Sequence, residues 1–407
     1  DALLVTMFAM SFLGGAICLQ SRKSVSLLLK AMVLVFVGHF LIGVFQKIGD
    51  PSFAVFRLPR ADQAGVSGLF WHRNYLAGML ELMVPVFEAV LVTTRALRWR
   101  IVAAVTVLLA LVLLFMTRSR SGLMATVAGV TTVGALLIIA QSSKWTVNKR
   151  LAAIAIAIIV ALGIGWMGYA ATSAVSEQRG QSGDIEEALG TNGRLAFAGM
   201  AFDQWTEQPL WGTGSRSFSY KALEHWSNAG TWIGDPEMVH NDYMQTLCEF
   251  GAVGAVLVFS FAAVLLIHGF LLSRRPVETM DEDGLSRGVI IGAMGALVAA
   301  MVHSIFDFSL HVLPNLLLFG VLTGFLVRPG RSDGDAWRGG PLLALIAVGI
   351  LLVSSAVAFA AGWREMSMAP QWLRWERETL RNKGEMTVES LDGMGAILEV
   401  APHFVPV

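Results

Sequence analysis

Long, uninterrupted apolar runs are the feature that most limits how this chain can fold. Many continue for about 17 to 25 residues without the alternation that barrel strands show, enough for a helix to cross a ~30 Å hydrocarbon core. Lipid offers no partner to backbone N–H and C=O groups, so each segment must bond internally, as a helix does. With 55% apolar and 15% charged residues, the sequence predicts an all-α, polytopic transmembrane helical bundle.

The apolar runs predict about ten spans, with one long polar loop between the sixth and the seventh. Five short connectors rich in Arg and Lys fall on one side: 21–23, 95–100, 144–150, 273–287 and 328–338. The positive-inside rule makes that side cytoplasmic, so both termini and the long loop are expected on the periplasmic side. The predicted spans are 2–20, 24–46, 74–94, 101–117, 122–140, 151–174, 243–272, 288–310, 313–327 and 341–363.

These boundaries predict four regions. N-terminal transmembrane helices occupy residues 1–174, and a polar loop that contains helices occupies 175–242. C-terminal transmembrane helices follow at 243–363, and an amphipathic tail at 364–407 is expected in the periplasm or at the interface. The formal net charge is zero, so nothing in the overall charge favours nucleic acid as a partner.

Five ionisable residues lie in the outer halves of the predicted spans: His39, Glu81, Glu249, His303 and Asp307. Charged groups are costly inside a membrane, so this clustering predicts an outward-facing polar cavity, with interhelical hydrogen bonding as the plainer alternative. By depth, His39 is expected to pair with Glu81. By helical spacing, His303 is expected to pair with Asp307.

Two parts of the outer surface concentrate arginine and histidine. Arg118 and Arg120 lie in a tight outer hairpin, where the positive-inside rule expects no cation. In the long loop, Arg194 opens an amphipathic helix that runs to about Glu207, a glycine turn follows at 209–214, and His240 directly precedes a span. Plain alternatives are headgroup anchors for the hairpin arginines, a helix-surface cation for Arg194 and an interfacial side chain for His240.

Taken in order, these segments resemble the O-antigen ligase and polymerase superfamily, which consists of membrane glycosyltransferases of the GT-C type. The resemblance covers roughly residues 45–325, and its most specific part is the His-Asn pair before a Gly-x-x-Gly span. Members usually have a dozen or so spans, so we expect one or more spans to be missing before Asp1. The matching segments are Phe70 to Ala77, Ser119 to Gly122, Pro209 to Phe218, His240 to Gly254 and His303 to Asn315.

The resemblance implies transfer of a saccharide from undecaprenyl pyrophosphate to an acceptor hydroxyl at the periplasmic face of a bacterial inner membrane. It gives Arg120 and Arg194 the role of binding pyrophosphate and His240 that of activating the acceptor, in an inverting reaction without metal or cofactor. Guanidinium groups match phosphate oxygens, and imidazole accepts protons near neutral pH. Further substrate-binding residues are expected at Arg118, Arg216, Asn241, Tyr243 and Asn74.

Several functional alternatives remain open from sequence. The acceptor can be lipid A core, a growing glycan or a protein, which would make the chain a ligase, a polymerase or a protein O-oligosaccharyltransferase. A different mechanism would use Asp235, Glu237 and Asp242 to bind a divalent cation. From another class, a flippase or transporter for lipid-linked saccharides is possible, although the polar residues gather toward one face and not at the membrane midplane.

Overall fold

The computed structural model describes residues 2–55, 65–141, 191–222, 224–225, 238–274 and 283–327. Within these residues every regular element is helical, which agrees with the predicted all-α class. The elements are α1 (Ala2–Cys18), α2 (Arg22–Ile48), α3 (Arg73–Thr93), α4 (Leu97–Thr117), α5 (Arg120–Gln141), α6 (Thr191–Glu207), α7 (Phe218–Lys221), α8 (Asp242–Ser273), α9 (Leu285–His303), a 3-10 turn (Ser309–His311) and α10 (Leu313–Phe325).

Six of the described helices are long and apolar enough to cross a membrane: α2, α3, α4, α5, α8 and α9. The predicted spans 2–20 and 313–327 correspond to the shorter apolar helices α1 and α10. The predicted span 288–310 was too long at its end, because the chain leaves the helix after His303 and makes a turn.

Other predictions fall outside the described residues. They are the spans 151–174 and 341–363, the connectors 144–150 and 328–338, the first part of the long loop, and the tail 364–407.

Helices α3 and α9 form the centre of the bundle. In each, 78% of the most apolar stretch is buried, against 22% to 33% for α2, α4, α5 and α8. Gly288 and Gly292 of α9 lie against the backbone of α3, where a methyl group on Gly292 would come within 2.3 Å of the Cα of Val86. Small residues at this spacing let two transmembrane helices approach closely, so α9 and α3 form a rigid core pair.

One end of the bundle, here called the site end, is where α3, α5 and α8 begin and α9 finishes. The described basic connectors lie at the opposite end: Arg22 pairs with Asp283, and the backbone N–H of Arg95 donates to the carbonyl of Asp283 at 2.8 Å. Long helices that correspond to consecutive predicted spans run in opposite directions between these two ends, as predicted.

Helix α8 is broken near its start by Gly251, which has φ of +66°. The short outer segment before the break carries Cys248 and Glu249, and the long inner segment continues to Ser273 with many apolar side chains exposed. Glycine adopts this backbone conformation without the steric cost that a Cβ atom would add. The break therefore separates a lipid-facing segment from one that belongs to the site end.

Candidate active site

His240 lies immediately before α8, as predicted, in a backbone conformation that only a few residues adopt. Its φ of +54° is in the left-handed region, which side chains with a Cβ normally avoid. The next residue, Asn241, caps α8: its side-chain oxygen accepts hydrogen bonds from the backbone N–H groups of Tyr243 and Met244. The cap fixes the first turn of α8 and with it the direction in which His240 leaves the helix.

The imidazole of His240 contacts the carboxylate of Asp307, since its Nδ1 atom lies 3.4 Å from Oδ1 of the carboxylate. Asp307 is buried, whereas the His240 side chain keeps 26% of its surface exposed. The second oxygen, Oδ2, accepts a hydrogen bond from Nδ2 of Asn74 at 2.5 Å. The two nitrogens therefore hold the carboxylate from both sides and direct one oxygen at His240.

Burial opposes ionisation of Asp307, but its contact with His240 and the charges of His303, His240 and Arg194 outweigh this effect. Together they hold the pKa of Asp307 well below its usual range. A carboxyl group with a lowered pKa remains ionised at neutral pH. Asp307 is thus able to orient the His240 ring and to stabilise its protonated form.

Helix α6 brings Arg194 to this pair, and the charge of Arg194 reaches Asp307. One turn further on, Phe197 lies parallel to the His240 ring at an angle of 11°. A separate small core holds α6 in place, and it includes Phe197, Phe218, Val239 and Cys248. Helix α6 finishes at Glu207 as the sequence predicted but begins earlier, at Thr191. Its packing against the start of α8 brings Arg194 toward the His–Asp pair.

The predicted glycine turn at 209–214 also has a structural role. It hydrogen-bonds to backbone groups of α8 on both sides of the break at Gly251. The N–H groups of Thr213 and Gly214 donate to the carbonyls of Cys248 and Glu249, at 3.0 and 2.9 Å. On the far side of Gly251, two N–H groups of α8 donate to the carbonyls of Pro209 and Leu210. The glycine turn therefore occupies the gap in α8 and ties it to the end of α6.

Within the described residues, three non-glycine residues have positive φ: Arg118, Arg216 and His240. All three were candidate site residues from sequence. Arg118 closes α4 at the tight hairpin, and Arg120 begins α5 two residues later. Such conformations cost about 1–3 kcal/mol each and concentrate at functional sites.

Arg120 lies at the same end of the bundle as Asp307. Two residues into α5, a methyl group on Gly122 would come within 2.5 Å of the Cβ of Ala77, which lies three residues after Asn74 in the first turns of α3. Asn74 in turn bonds to Asp307. The positive charge of Arg216 opposes protonation of His311 and so acts to lower its pKa.

The buried ionisable residues pair differently from the pattern expected by depth and spacing. Glu81 contacts His303, with its Oε2 atom 2.5 Å from the imidazole Nδ1, instead of contacting His39. His39 accepts a hydrogen bond from the backbone N–H of Leu69 and stacks on Phe70. Asp307 contacts His240 and Asn74, because the helix ends at His303 and the following turn carries the carboxylate away.

Three predicted substrate-binding residues hold the site together by their own hydrogen bonds. Asn74 bonds to Asp307, Asn241 caps α8, and the Tyr243 hydroxyl donates to the carbonyl of Met301 on α9 at 2.5 Å. Their contact with substrate stays a prediction. Each contributes here to the relative placement of α3, α8 and α9.

A second histidine–carboxylate pair at the site was missed by the sequence reasoning. His311 lies with its Nε2 atom 3.2 Å from Oδ1 of Asp242. The available signal was its spacing of four residues from Asp307, in a segment that leaves the apolar run. Phe308 lies between the two pairs, with its ring 4.9 Å from that of His240 and 6.2 Å from that of His311.

The proposed acidic cation site is represented in the described residues by Asp242 alone, since Asp235 and Glu237 lie outside them. Oδ2 of Asp242 accepts a hydrogen bond from the Ser304 hydroxyl at 2.8 Å, and Oδ1 faces His311. In the part of the chain that the structure describes, no three His, Cys, Asp or Glu side chains form a group that could hold a metal ion.

Comparison with known proteins identifies one family. Residues 104–259 match the model of a family described as O-antigen ligase. The match extends from α4 through the hairpin, α6 and the glycine turn to the inner segment of α8, so it contains Arg118, Arg120, Arg194, Arg216 and His240. A search of curated proteins found no significant match.

Proposed function

From its membership of the O-antigen ligase superfamily, we propose that this chain is a membrane glycosyltransferase that uses a saccharide linked to undecaprenyl pyrophosphate. The acceptor is a hydroxyl group of lipid A core, a glycan or a protein. The site end faces the periplasm of a bacterial inner membrane. The described basic connectors support this orientation, because they lie at the opposite end and the positive-inside rule makes that end cytoplasmic.

The observation that carries the proposal is the contact between His240 and Asp307 beside Arg194. The Nδ1 atom of His240 is buried against the carboxylate, so Nε2 is the nitrogen that receives a proton from the acceptor. A neutral imidazole with its hydrogen on Nδ1 is the tautomer that an ionised Asp307 favours. His240 is accordingly the general base and Asp307 its positioning residue.

The reaction is a single displacement. The acceptor hydroxyl gives its proton to Nε2 of His240 while its oxygen bonds to the anomeric carbon. The bond between that carbon and the phosphate oxygen breaks, and the pyrophosphate leaves with the electron pair. Guanidinium groups of Arg120 and Arg194 stabilise the charge that develops on the leaving group. Attack from the opposite side inverts the anomeric centre.

A reconstituted assay tests the proposal. The full chain is placed in proteoliposomes with a donor lipid that carries a radiolabelled oligosaccharide, and each acceptor class is added in turn. The expected result is a labelled product and released undecaprenyl pyrophosphate with one acceptor class, lost on His240→Ala. Movement of the labelled donor between leaflets without a new glycosidic bond would instead establish a transporter.

A further inference from the structure

The two histidine–carboxylate pairs of the site are reciprocal. His240 and Asp242 belong to the segment that starts α8, whereas Asp307 and His311 belong to the turn between α9 and α10. Each histidine contacts the carboxylate of the other segment: His240 contacts Asp307, and His311 contacts Asp242. The ring of Phe308 lies between the two imidazoles.

Asp242 is held firmly enough to fix the position of His311. Its backbone N–H donates to the carbonyl of Ser304 at 2.8 Å, and its Oδ2 atom accepts from the Ser304 hydroxyl, also at 2.8 Å. These two bonds leave Oδ1 of Asp242 for Nε2 of His311. The imidazole is therefore fixed through one nitrogen, and its Nδ1 atom is the group left to donate to a ligand.

The charges around His311 favour its protonated form. Burial lowers the pKa of His311, but the contact with Asp242 and the negative charges of Asp242 and Glu249 outweigh that effect. The charge of Arg216 opposes them, and the net result is a raised pKa. The side chain keeps 34% of its surface exposed, so a ligand can reach the ring.

Each of the two histidine–carboxylate pairs is also influenced by one arginine. The charge of Arg194 acts on Asp307, on the side of His240, whereas that of Arg216 acts on His311. Positive charges gathered at one site attract an anionic ligand. A pyrophosphate carries two phosphate groups, and this arrangement offers one set of donors to each.

On the basis of the proposed function, we propose that His311, held through Nε2 by Asp242, binds a phosphate oxygen of the donor pyrophosphate together with Arg216. Its role differs from that of His240, which takes the proton of the acceptor. With Arg120, the donor lipid is thus bound by residues of four segments: the start of α5, α6, the turn that carries Arg216, and the turn after α9.

The test measures donor binding without turnover. The full chain in nanodiscs is titrated with undecaprenyl pyrophosphate that carries one labelled sugar, in the absence of acceptor, for the wild type and His311→Gln. Glutamine can still bond to Asp242 but carries no charge. One charge-assisted hydrogen bond contributes a factor of at least about ten to affinity, so we expect about tenfold weaker binding at pH 7.

The pH dependence separates a charge effect from a structural one. The imidazolium is present below the raised pKa of His311 and is lost above it. Donor binding by the wild type should therefore weaken as the pH rises through that value, whereas His311→Gln should lack this change. His311→Lys, which keeps the charge, should move the change to higher pH.

Two further variants make the outcome decisive. His225→Gln removes another loop histidine, which contacts Glu207, and it should bind donor like the wild type. His240→Gln should abolish transfer but retain donor binding, so failure of the general-base assignment is distinguishable from failure of this inference. Unchanged donor binding by His311→Gln would overturn the inference. If His311→Gln changed only the KM for the acceptor, that result would also overturn the inference, because it would assign the residue to acceptor binding.

Discussion

One carboxylate oxygen of Asp307, Oδ1, lies 3.4 Å from Nδ1 of His240. The other oxygen, Oδ2, accepts a hydrogen bond from the side-chain amide of Asn74. If Asp307 orients the imidazole, Asp307→Asn should leave the fold intact but remove the charge that selects the tautomer and stabilises the imidazolium. We expect kcat for saccharide transfer to fall by about 10²- to 10⁴-fold, with a smaller change in KM for the donor. Initial rates at varied donor concentration measure both quantities.

A suitable control for this substitution is Asp50→Asn. Asp50 is an exposed carboxylate that bonds to Ser52 after α2. The Asp50→Asn variant should transfer saccharide at the wild-type rate. An Asp307→Asn enzyme with the kcat of this control would show that His240 does not depend on the carboxylate.

The contact between Glu81 and His303 is predicted to hold α3 and α9 together. Both side chains are almost fully buried, so removal of one partner leaves a polar or charged group without compensation, at a cost of about 3–5 kcal/mol. Glu81→Ala and His303→Ala should each lower the midpoint of thermal unfolding in detergent. The double variant Glu81→Leu/His303→Leu should be more stable than either single variant, since it leaves no buried polar group behind.

A double-mutant cycle of these positions measures the coupling. The prediction fails if the effects of Glu81→Ala and His303→Ala on the unfolding midpoint simply add in the double alanine variant.

The glycine turn and the break in α8 should be intolerant of any side chain. A methyl group on Gly212 would come within 2.3 Å of the backbone of Glu249, and one on Gly251 within 2.3 Å of the carbonyl oxygen of Leu210. Alanine at either position would push the turn out of α8 and move α6 relative to His240. We expect Gly212→Ala and Gly251→Ala to lose most transfer activity, with new sites of limited proteolysis between residues 205 and 253.

Gly199 of α6 provides a matched control, because nothing lies within 4 Å of a methyl group placed there. Gly199→Ala should be active and slightly more stable, by about 0.5–1 kcal/mol, as is usual for glycine replaced within a helix. Full activity of Gly251→Ala would mean that the break in α8 can form without glycine.

The sequence predicted the helical class and several local boundaries because those depend on local signals. Within the described residues, the apolar runs predicted the bounds of most helices to within a few residues. Helix α6 finishes at Glu207 as expected, although it begins at Thr191, before Arg194. The hairpin at Arg118 and Arg120 and the position of His240 before α8 were also confirmed.

Contacts between helices were harder to predict, because depth along a span does not determine which face of a helix meets which neighbour. His39 and Glu81 lie at similar predicted depth, yet Glu81 meets His303 across the interface of α3 and α9. The end of α9 at His303 depends on the turn that follows it. Because the sequence predicted a helix up to residue 310, it did not predict that Asp307 and His311 lie in a turn after the helix. The bracing of Gly251 by the glycine turn joins residues about 40 positions apart in a pattern that no local spacing reveals.

Arg120 is predicted to be essential to transfer, while another exposed arginine at the other end of the bundle is not. Arg120 begins α5 at the site end, whereas Arg98 lies in the first turn of α4 at the end with the basic connectors. The variant Arg120→Ala lacks one of the guanidinium groups that stabilise the charge developing on the leaving pyrophosphate. Its kcat/KM for the donor should therefore fall by about 10²- to 10³-fold. Arg120→Lys should recover little, because an ammonium group lacks the planar fork that binds two phosphate oxygens. Arg98→Ala serves as the control, and equal losses in the two alanine variants would indicate a general effect of surface charge in place of a role for Arg120 in the site.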